Sequence, residues 1–137
     1  MRKIIFAVII AAAGMCSAAY ADGMNIIGIS RHMNEPAAPR LRYPIADSVS
    51  LAGKDVLEFR WWPAVLGIRA FEFRLYKGYQ TYAANLIQKE KLPASASSLA
   101  LKAGMFEAGQ VYTWVLLQVG DGGQKSEKSW NSFKVTK

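Results

Sequence analysis

Residues 108–119 read AGQVYTWVLLQV and contain the longest strand that the sequence predicts. Gly109 lies in the turn before this strand, and the side chains of Tyr112, Trp114 and Leu116 then alternate with a second series of mostly apolar residues. The other predicted strands alternate polar and apolar residues. A strand that is apolar on both faces, late in such a chain, is typical of the centre of a sheet in a β-sandwich. We therefore place these residues in the middle of a sheet.

Six further segments are predicted to be strands because they alternate with period two or form short apolar runs between turn residues. They are residues 40–45, 54–62, 69–77, 85–91, 98–102 and 130–136. Pro44 makes the first an edge strand, because proline cannot donate a sheet hydrogen bond. After residue 21 no stretch of about 11 residues keeps a helical period. About seven short strands predict an all-β fold, an antiparallel β-sandwich.

The same alternation predicts which large side chains are in the core. Trp61 shares one face of its strand with Leu57 and Phe59, whereas Trp62 lies on the opposite face and is followed by Pro63. We therefore predict that Trp61 is a core residue and that Trp62 is at the surface.

The first residues of the chain have the layout of a secretory signal peptide. Basic residues precede an apolar stretch, and Ala19-Tyr20-Ala21 comes before the charged Asp22, so residues 1–21 are predicted to be removed. The apolar stretch is shorter than the roughly 20 residues that span a bilayer, and no transmembrane segment is predicted in the mature chain. We expect an exported protein, periplasmic or extracellular.

Two segments are predicted after the signal peptide. Residues 22–39 are an N-terminal extension and linker, in which Pro36 and Pro39 exclude a central strand. Residues 40–137 are one sandwich domain of ordinary size. Since Cys16 is the only cysteine and precedes the cleavage site, neither a disulfide nor a cysteine metal site is predicted in the mature chain.

Several of these segments together resemble a fibronectin type III domain, an immunoglobulin-like β-sandwich, in the form found in exported bacterial proteins. The resemblance covers about residues 40–137 and is carried by Trp61 in LEFRWW, the strand FEFRLYKG, the pair Leu99 and Leu101, the sequence AGQVYTWVLLQV and the closing WNSFKVT. It implies a tyrosine corner, in which the hydroxyl of Tyr112 bonds to the backbone of the preceding loop. Leu101 or Met105 and Gly109 occupy the other positions of that corner.

No catalytic, cofactor-binding or metal-binding residues are predicted, and we expect a protein that is not an enzyme. The single histidine, His32, lies in the predicted linker, so a catalytic triad or a multi-histidine metal site has no support. Glu58 and Glu72 could form a pair for glycoside hydrolysis, but the predicted sandwich places them outward on opposite sheets. Asp121 is interpreted as an ordinary turn residue and not as a metal ligand. The formal charge of +7 falls to +5 without Arg2 and Lys3, and the basic residues are scattered, so no nucleic-acid partner is predicted.

Two surfaces are candidates for binding. The outward face of the central strand is more apolar than solvent exposure requires, and it is predicted to form a binding surface of Tyr76, Val115, Leu117 and Trp130. Residues 24–30, a protein partner or a glycan could cover it. The alternative glycan surface consists of Trp62, Tyr79 and Tyr82, at a strand end and in the following loop.

The sequence as a whole predicts an exported, non-enzymatic binding or assembly module of the cell envelope or extracellular space. It would act through contact with an unknown envelope or extracellular protein. A small carbohydrate-binding module that uses exposed tryptophan and tyrosine residues is the alternative. No cofactor is predicted.

Overall fold

The structure, a computed structural model, describes residues 35–137. The described chain forms one compact unit with eight strands and two short 3₁₀ helices. The strands are β1 (Leu41–Tyr43), β2 (Ser48–Ser50), β3 (Val56–Trp61), β4 (Ile68–Lys77), β5 (Leu86–Pro93), β6 (Ser98–Lys102), β7 (Val111–Gly120) and β8 (Ser129–Thr136). The 3₁₀ helices are η1 (Ala83–Asn85) and η2 (Ala103–Met105).

The strands form two sheets that pack face to face. One has the order β1-β3-β6 and the other β2-β8-β7-β4-β5. All neighbours are antiparallel except β2 and β8, which are parallel. The predicted all-β sandwich is confirmed, with β7 between β8 and β4 and β1 at a sheet edge. The additional strand, β2, has three residues, of which only Val49 is buried, so its alternation is too short to recognise in the sequence.

The core between the sheets is built from aromatic rings. The ring of Phe59 lies 5.0 Å from that of Phe73 and 5.1 Å from that of Trp114, both in edge-to-face geometry. Trp61 is completely buried, as predicted, and its indole Nε1 donates a hydrogen bond of 3.0 Å to the carbonyl of Ala96. These contacts join the two sheets, since β3 belongs to one and β4 and β7 to the other.

The predicted tyrosine corner is present. The hydroxyl of buried Tyr112 accepts a hydrogen bond of 2.9 Å from the backbone N–H of Glu107. Gly109 has a φ of 81°, which favours glycine because of the steric cost of a Cβ there. Of the two residues proposed for the corner's apolar position, Leu101 is buried and Met105 is exposed.

Replacing Tyr112 with phenylalanine tests the corner. The loss of the hydroxyl leaves the N–H of Glu107 without its acceptor, and we expect a loss of about 1 to 2 kcal/mol in the free energy of unfolding. Chemical denaturation measures this loss. Tyr82→Phe is the control, because Tyr82 is exposed and its change should have almost no effect. Equal denaturation midpoints for the two variants would show that the corner bond does not contribute to stability.

The segment before β1 contacts the sandwich. The side chain of Gln118 donates a hydrogen bond to the carbonyl of Ala37, and the hydroxyl of Ser129 donates one to the carbonyl of buried Pro39. Residues 36–39 are therefore held against β7 and β8. The predicted signal peptide, residues 24–30 and His32 lie outside the described residues.

Within residues 35–137, no helix is long and apolar enough to cross a membrane. The same part of the chain contains no group of three or more histidine, cysteine or acidic side chains placed to hold a metal ion.

Candidate functional site

The predicted binding surface lies on the outer face of the larger sheet, but most of it is not exposed. Trp130 is 65% exposed, whereas Tyr76, Val115 and Leu117 are almost completely buried. Of the four predicted residues, only Trp130 is therefore open to solvent. Trp130 lies directly opposite Val115 in the pairing of β8 with β7, so it stands beside the buried strip.

A charged side chain that crosses β7 helps to close this face. Lys125 lies opposite Val119 on one side of β7, and Glu72 lies opposite Leu117 on the other side. Lys125 Nζ and Glu72 Oε2 are 3.1 Å apart, so the aliphatic stem of Lys125 spans the outer surface of the strand. Such stems shield apolar residues while their charged end reaches a partner. Leu117 and Val119 lie between these two charged residues in the strand register.

Arg74 extends the charged network along β4. Its Nη2 lies 3.1 Å from Glu72 Oε1, and in the strand register it is opposite Val115. Burial raises the pKa of Glu72, but the hydrogen bonds and charges of Lys125 and Arg74 outweigh burial and hold that pKa below its ordinary value. Burial lowers the pKa of Arg74, but hydrogen bonds and charges from Tyr76 and Glu72 raise it overall. The network is therefore charged at neutral pH.

A groove remains open at the other end of this face. Its volume is about 300 Å³, and exposed Trp130 and Tyr79 line it together with Val115. Its polar lining comes from Thr81, Thr113 and Lys128. A second groove of about 540 Å³ shares Trp130 and Tyr79 and is also lined by Asp47, Asn131, Ser132 and Phe133.

Hydrogen bonds fix the turn that carries Tyr79. The hydroxyl of Thr113 donates to the carbonyl of Gly78 at 2.8 Å and lies 2.6 Å from the hydroxyl of Ser132. Since the single proton of Thr113 is used by Gly78, Ser132 donates to Thr113. The N–H of Gly78 also donates to the carbonyl of Val111 at 2.7 Å. Tyr79 therefore directly follows a residue whose backbone N–H and carbonyl are both hydrogen-bonded to β7.

The structure combines members of the two predicted surfaces. Tyr79 from the glycan set and Trp130 from the apolar set line the same groove. Trp62 follows β3 of the smaller sheet, and Tyr82 is exposed without lining either of these grooves. The three predicted glycan residues are thus not brought together. The sequence analysis missed Thr81 and Lys128, whose polar loops carry no signal beyond that of ordinary turns.

The two carboxylates considered for catalysis do not meet. Glu58 is on β3 of the smaller sheet and Glu72 is on β4 of the larger one, and both face outward, as predicted. Glu58 pairs with Arg60 at 3.7 Å on an open surface, while Glu72 holds the charged network described above. Their arrangement does not fit a shared glycosidic substrate.

Solved structures that are similar to this chain include fibronectin type III domains. No family model matches the chain, and no curated protein matches it. The third fibronectin III domain of human KIAA0343 is 17% identical with a TM-score of 0.51, over 76% of this chain and 86% of that one. The FN1–FN3 domains of chicken CNTN1 are 10% identical with a TM-score of 0.54, over 74% of this chain and 33% of that one.

The Clostridium perfringens spore cortex lytic enzyme SleM is 13% identical with a TM-score of 0.51, and the match covers 72% of this chain but 28% of that enzyme. These likenesses show a fibronectin type III-like β-sandwich. Since identities of this size establish the fold alone, the match to a lytic enzyme does not transfer its activity.

Proposed function

We propose that this chain is an exported, non-enzymatic binding or assembly module of the cell envelope or extracellular space. It contacts another protein through the groove beside Trp130 on the outer face of the larger sheet. One observation supports this proposal most directly: Trp130 is exposed, whereas the neighbouring part of the same face is buried and bears the charged network. Export rests on the predicted signal peptide of residues 1–21.

The surroundings of Trp130 suit a contact residue. Its strand is paired to the central strand, and the neighbouring Val115 is buried, so the indole projects from a rigid base. Rigid aromatic side chains lose little conformational entropy on binding, and tryptophan is among the residues that contribute most at protein interfaces. Tyr79, which is 70% exposed, and Lys128 supply a partly polar rim.

Trp130→Ala tests the protein-contact proposal. Proteins captured from an envelope extract by the wild-type domain would be identified and their affinities measured with purified components. We expect Trp130→Ala to weaken the affinity for a genuine partner by about tenfold or more, because the truncation removes the central contact. Trp62→Ala is the matched control, since it removes an equally large exposed indole from the other sheet. Equal losses for the two variants, or none for Trp130→Ala, would count against this surface.

A glycan is the second candidate ligand for the same groove. Two exposed aromatic rings, Tyr79 and Trp130, line a groove that also has the hydroxyl of Thr81 and the ammonium group of Lys128. Sugars present apolar ring faces and hydroxyls, so this lining has the chemistry to receive them. A glycan array separates the two proposals. Binding to a glycan that Trp130→Ala abolishes would favour the carbohydrate-binding module over the protein contact.

A further inference from the structure

The loop between β3 and β4 presents an apolar tip to solvent. Leu66 is 99% exposed, Val65 is 68% exposed and Trp62, at the base of the loop, is 45% exposed. Single exposed apolar residues are ordinary, but three large ones within five positions of one loop are not explained by packing. This tip does not border the groove of Trp130 and Tyr79.

Two arginines stand against the same tryptophan. The guanidinium carbons of Arg40 and Arg42 lie 5.3 Å and 4.7 Å from the centre of the Trp62 ring. Among residues 35–137, no carboxylate forms an ion pair with either arginine, whereas Arg60 and Arg74 each have a glutamate partner. Two positive charges thus share one ring, which attracts both but does not neutralise them.

The tip and the arginine pair are held together by the backbone. The N–H of Trp62 donates to the carbonyl of Arg40 at 2.9 Å, which fixes β1 beside the start of the loop. The carbonyl of Gly67 accepts a hydrogen bond of 3.0 Å from the N–H of Asp121 in the turn after β7. That turn brings the carboxylate of Asp121 to this end of the domain, and the guanidinium of Arg69 reaches the same turn at Gly123. The end therefore keeps an excess of positive charge.

We propose that this end of the domain docks on an anionic lipid bilayer. Leu66 and Val65 would enter the boundary between head groups and acyl chains, with the indole of Trp62 at head-group level. Arg40 and Arg42 would contact the lipid phosphates, since basic residues beside a membrane-inserted apolar group are drawn to anionic lipids.

The shape of the tip favours a bilayer over a protein partner. Contacts that dominate protein interfaces fit into well-packed pockets, and a nearly fully exposed leucine on a loop requires a matching cavity in its partner. A bilayer receives a protruding apolar side chain without such a cavity. A free anion would satisfy the arginines but would leave Leu66 and Val65 without a role.

Vesicle co-sedimentation of the exported, purified protein tests the proposal. Vesicles of phosphatidylcholine mixed with phosphatidylglycerol should bind the protein about tenfold more strongly than phosphatidylcholine alone in roughly 0.1 M salt. We expect Leu66→Ser to reduce this binding severalfold, and the double change Arg40→Gln and Arg42→Gln to reduce it to the level on phosphatidylcholine. Ile45→Ser, which alters another exposed apolar residue, is the matched control and should bind like the wild type.

Thermal unfolding of each variant establishes that it is folded, and every change is made at an exposed position. Normal binding by Leu66→Ser would overturn the proposal. So would full competition by inorganic phosphate, which would identify a site for a free anion instead. Loss of affinity for a purified protein partner in Leu66→Ser, with vesicle binding unchanged, would assign the tip to a protein contact. The vesicle results do not bear on the groove at Trp130, because Trp130→Ala should bind vesicles normally.

Discussion

Trp61→Ala is expected to lower the free energy of unfolding by about 3 to 5 kcal/mol, the range for truncating a large buried aromatic side chain. Trp61 is completely buried, and its ring lies 5.5 Å from that of Phe71 in the opposite sheet. The change also removes the hydrogen bond from Nε1 to the carbonyl of Ala96, leaving that carbonyl without its donor. Urea denaturation of the wild type and the variant measures the difference.

Trp62→Ala is the matched control for this measurement. The two tryptophans are adjacent in sequence, but Trp62 is partly exposed and contacts the guanidinium groups of Arg40 and Arg42 instead of the core. Exposed contacts of this kind contribute about 0.5 to 1 kcal/mol each, so Trp62→Ala should cost far less. Similar denaturation midpoints for the two variants would mean that the register of β3 is shifted by one residue.

The alternation that distinguishes these two tryptophans also explains why the fold could be predicted. In β3 and β4 every second residue is large and apolar, and this local pattern is sufficient to place Trp61 and Phe73 between two sheets. The tyrosine corner was expected from the resemblance to a fibronectin type III domain, whose corner positions Gly109 and Tyr112 lie close together in the sequence. Features of this kind depend on neighbours along one strand.

The outer face could not be predicted in the same way, because its closure depends on residues that are far apart in the sequence. Lys125 is in a polar turn after β7, and Glu72 is near the middle of β4. Only the pairing register places them on either side of Leu117 and Val119. The period-two alternation of residues along a strand indicates which face a side chain occupies, but it does not indicate what covers that face. The sequence therefore predicted that this apolar strip faces outward and needs a cover, but not that Lys125 and Glu72 lie beside it.

The groove was missed for a related reason. Tyr79 and Trp130 are 51 positions apart in the sequence and were assigned to different surfaces. They meet because Gly78, in the turn directly after β4, is bonded to Thr113 on the central strand, a contact that no local pattern encodes. Each residue was recognised as an exposed aromatic, but the site they form required the sheet order.

Glu72→Ala is expected to lower the free energy of unfolding by about 2 to 3 kcal/mol, less than for a fully buried ion pair because Lys125 is half exposed. The change removes the acidic partner of both Lys125 and Arg74. It leaves the guanidinium of Arg74 largely buried, with an Nε that already has no acceptor among residues 35–137.

Glu58→Ala is the matched control, because Glu58 is also an outward glutamate in the middle of a strand. Its side chain is 49% exposed and its ion pair with Arg60 is 3.7 Å long, so the expected loss is about 0 to 1 kcal/mol. Glu72→Gln, which keeps the size of the side chain, separates the loss of charge from the loss of packing. Equal losses for Glu72→Ala and Glu58→Ala would show that the network does not hold the outer face closed.

The effect of Glu72→Ala should depend on pH in a defined direction. Because the folded-state pKa of Glu72 is below its ordinary value, its charge stabilises the folded protein above the unfolded-chain pKa of about 4.3. That stabilisation is lost as the pH falls through the folded-state pKa, where the carboxylate takes up a proton. The difference in unfolding free energy between wild type and Glu72→Ala should therefore be largest near neutral pH and should shrink below about pH 4. A difference that stays constant from neutral to acid pH would mean that packing by the Glu72 side chain, and not its charge, closes the face over β7.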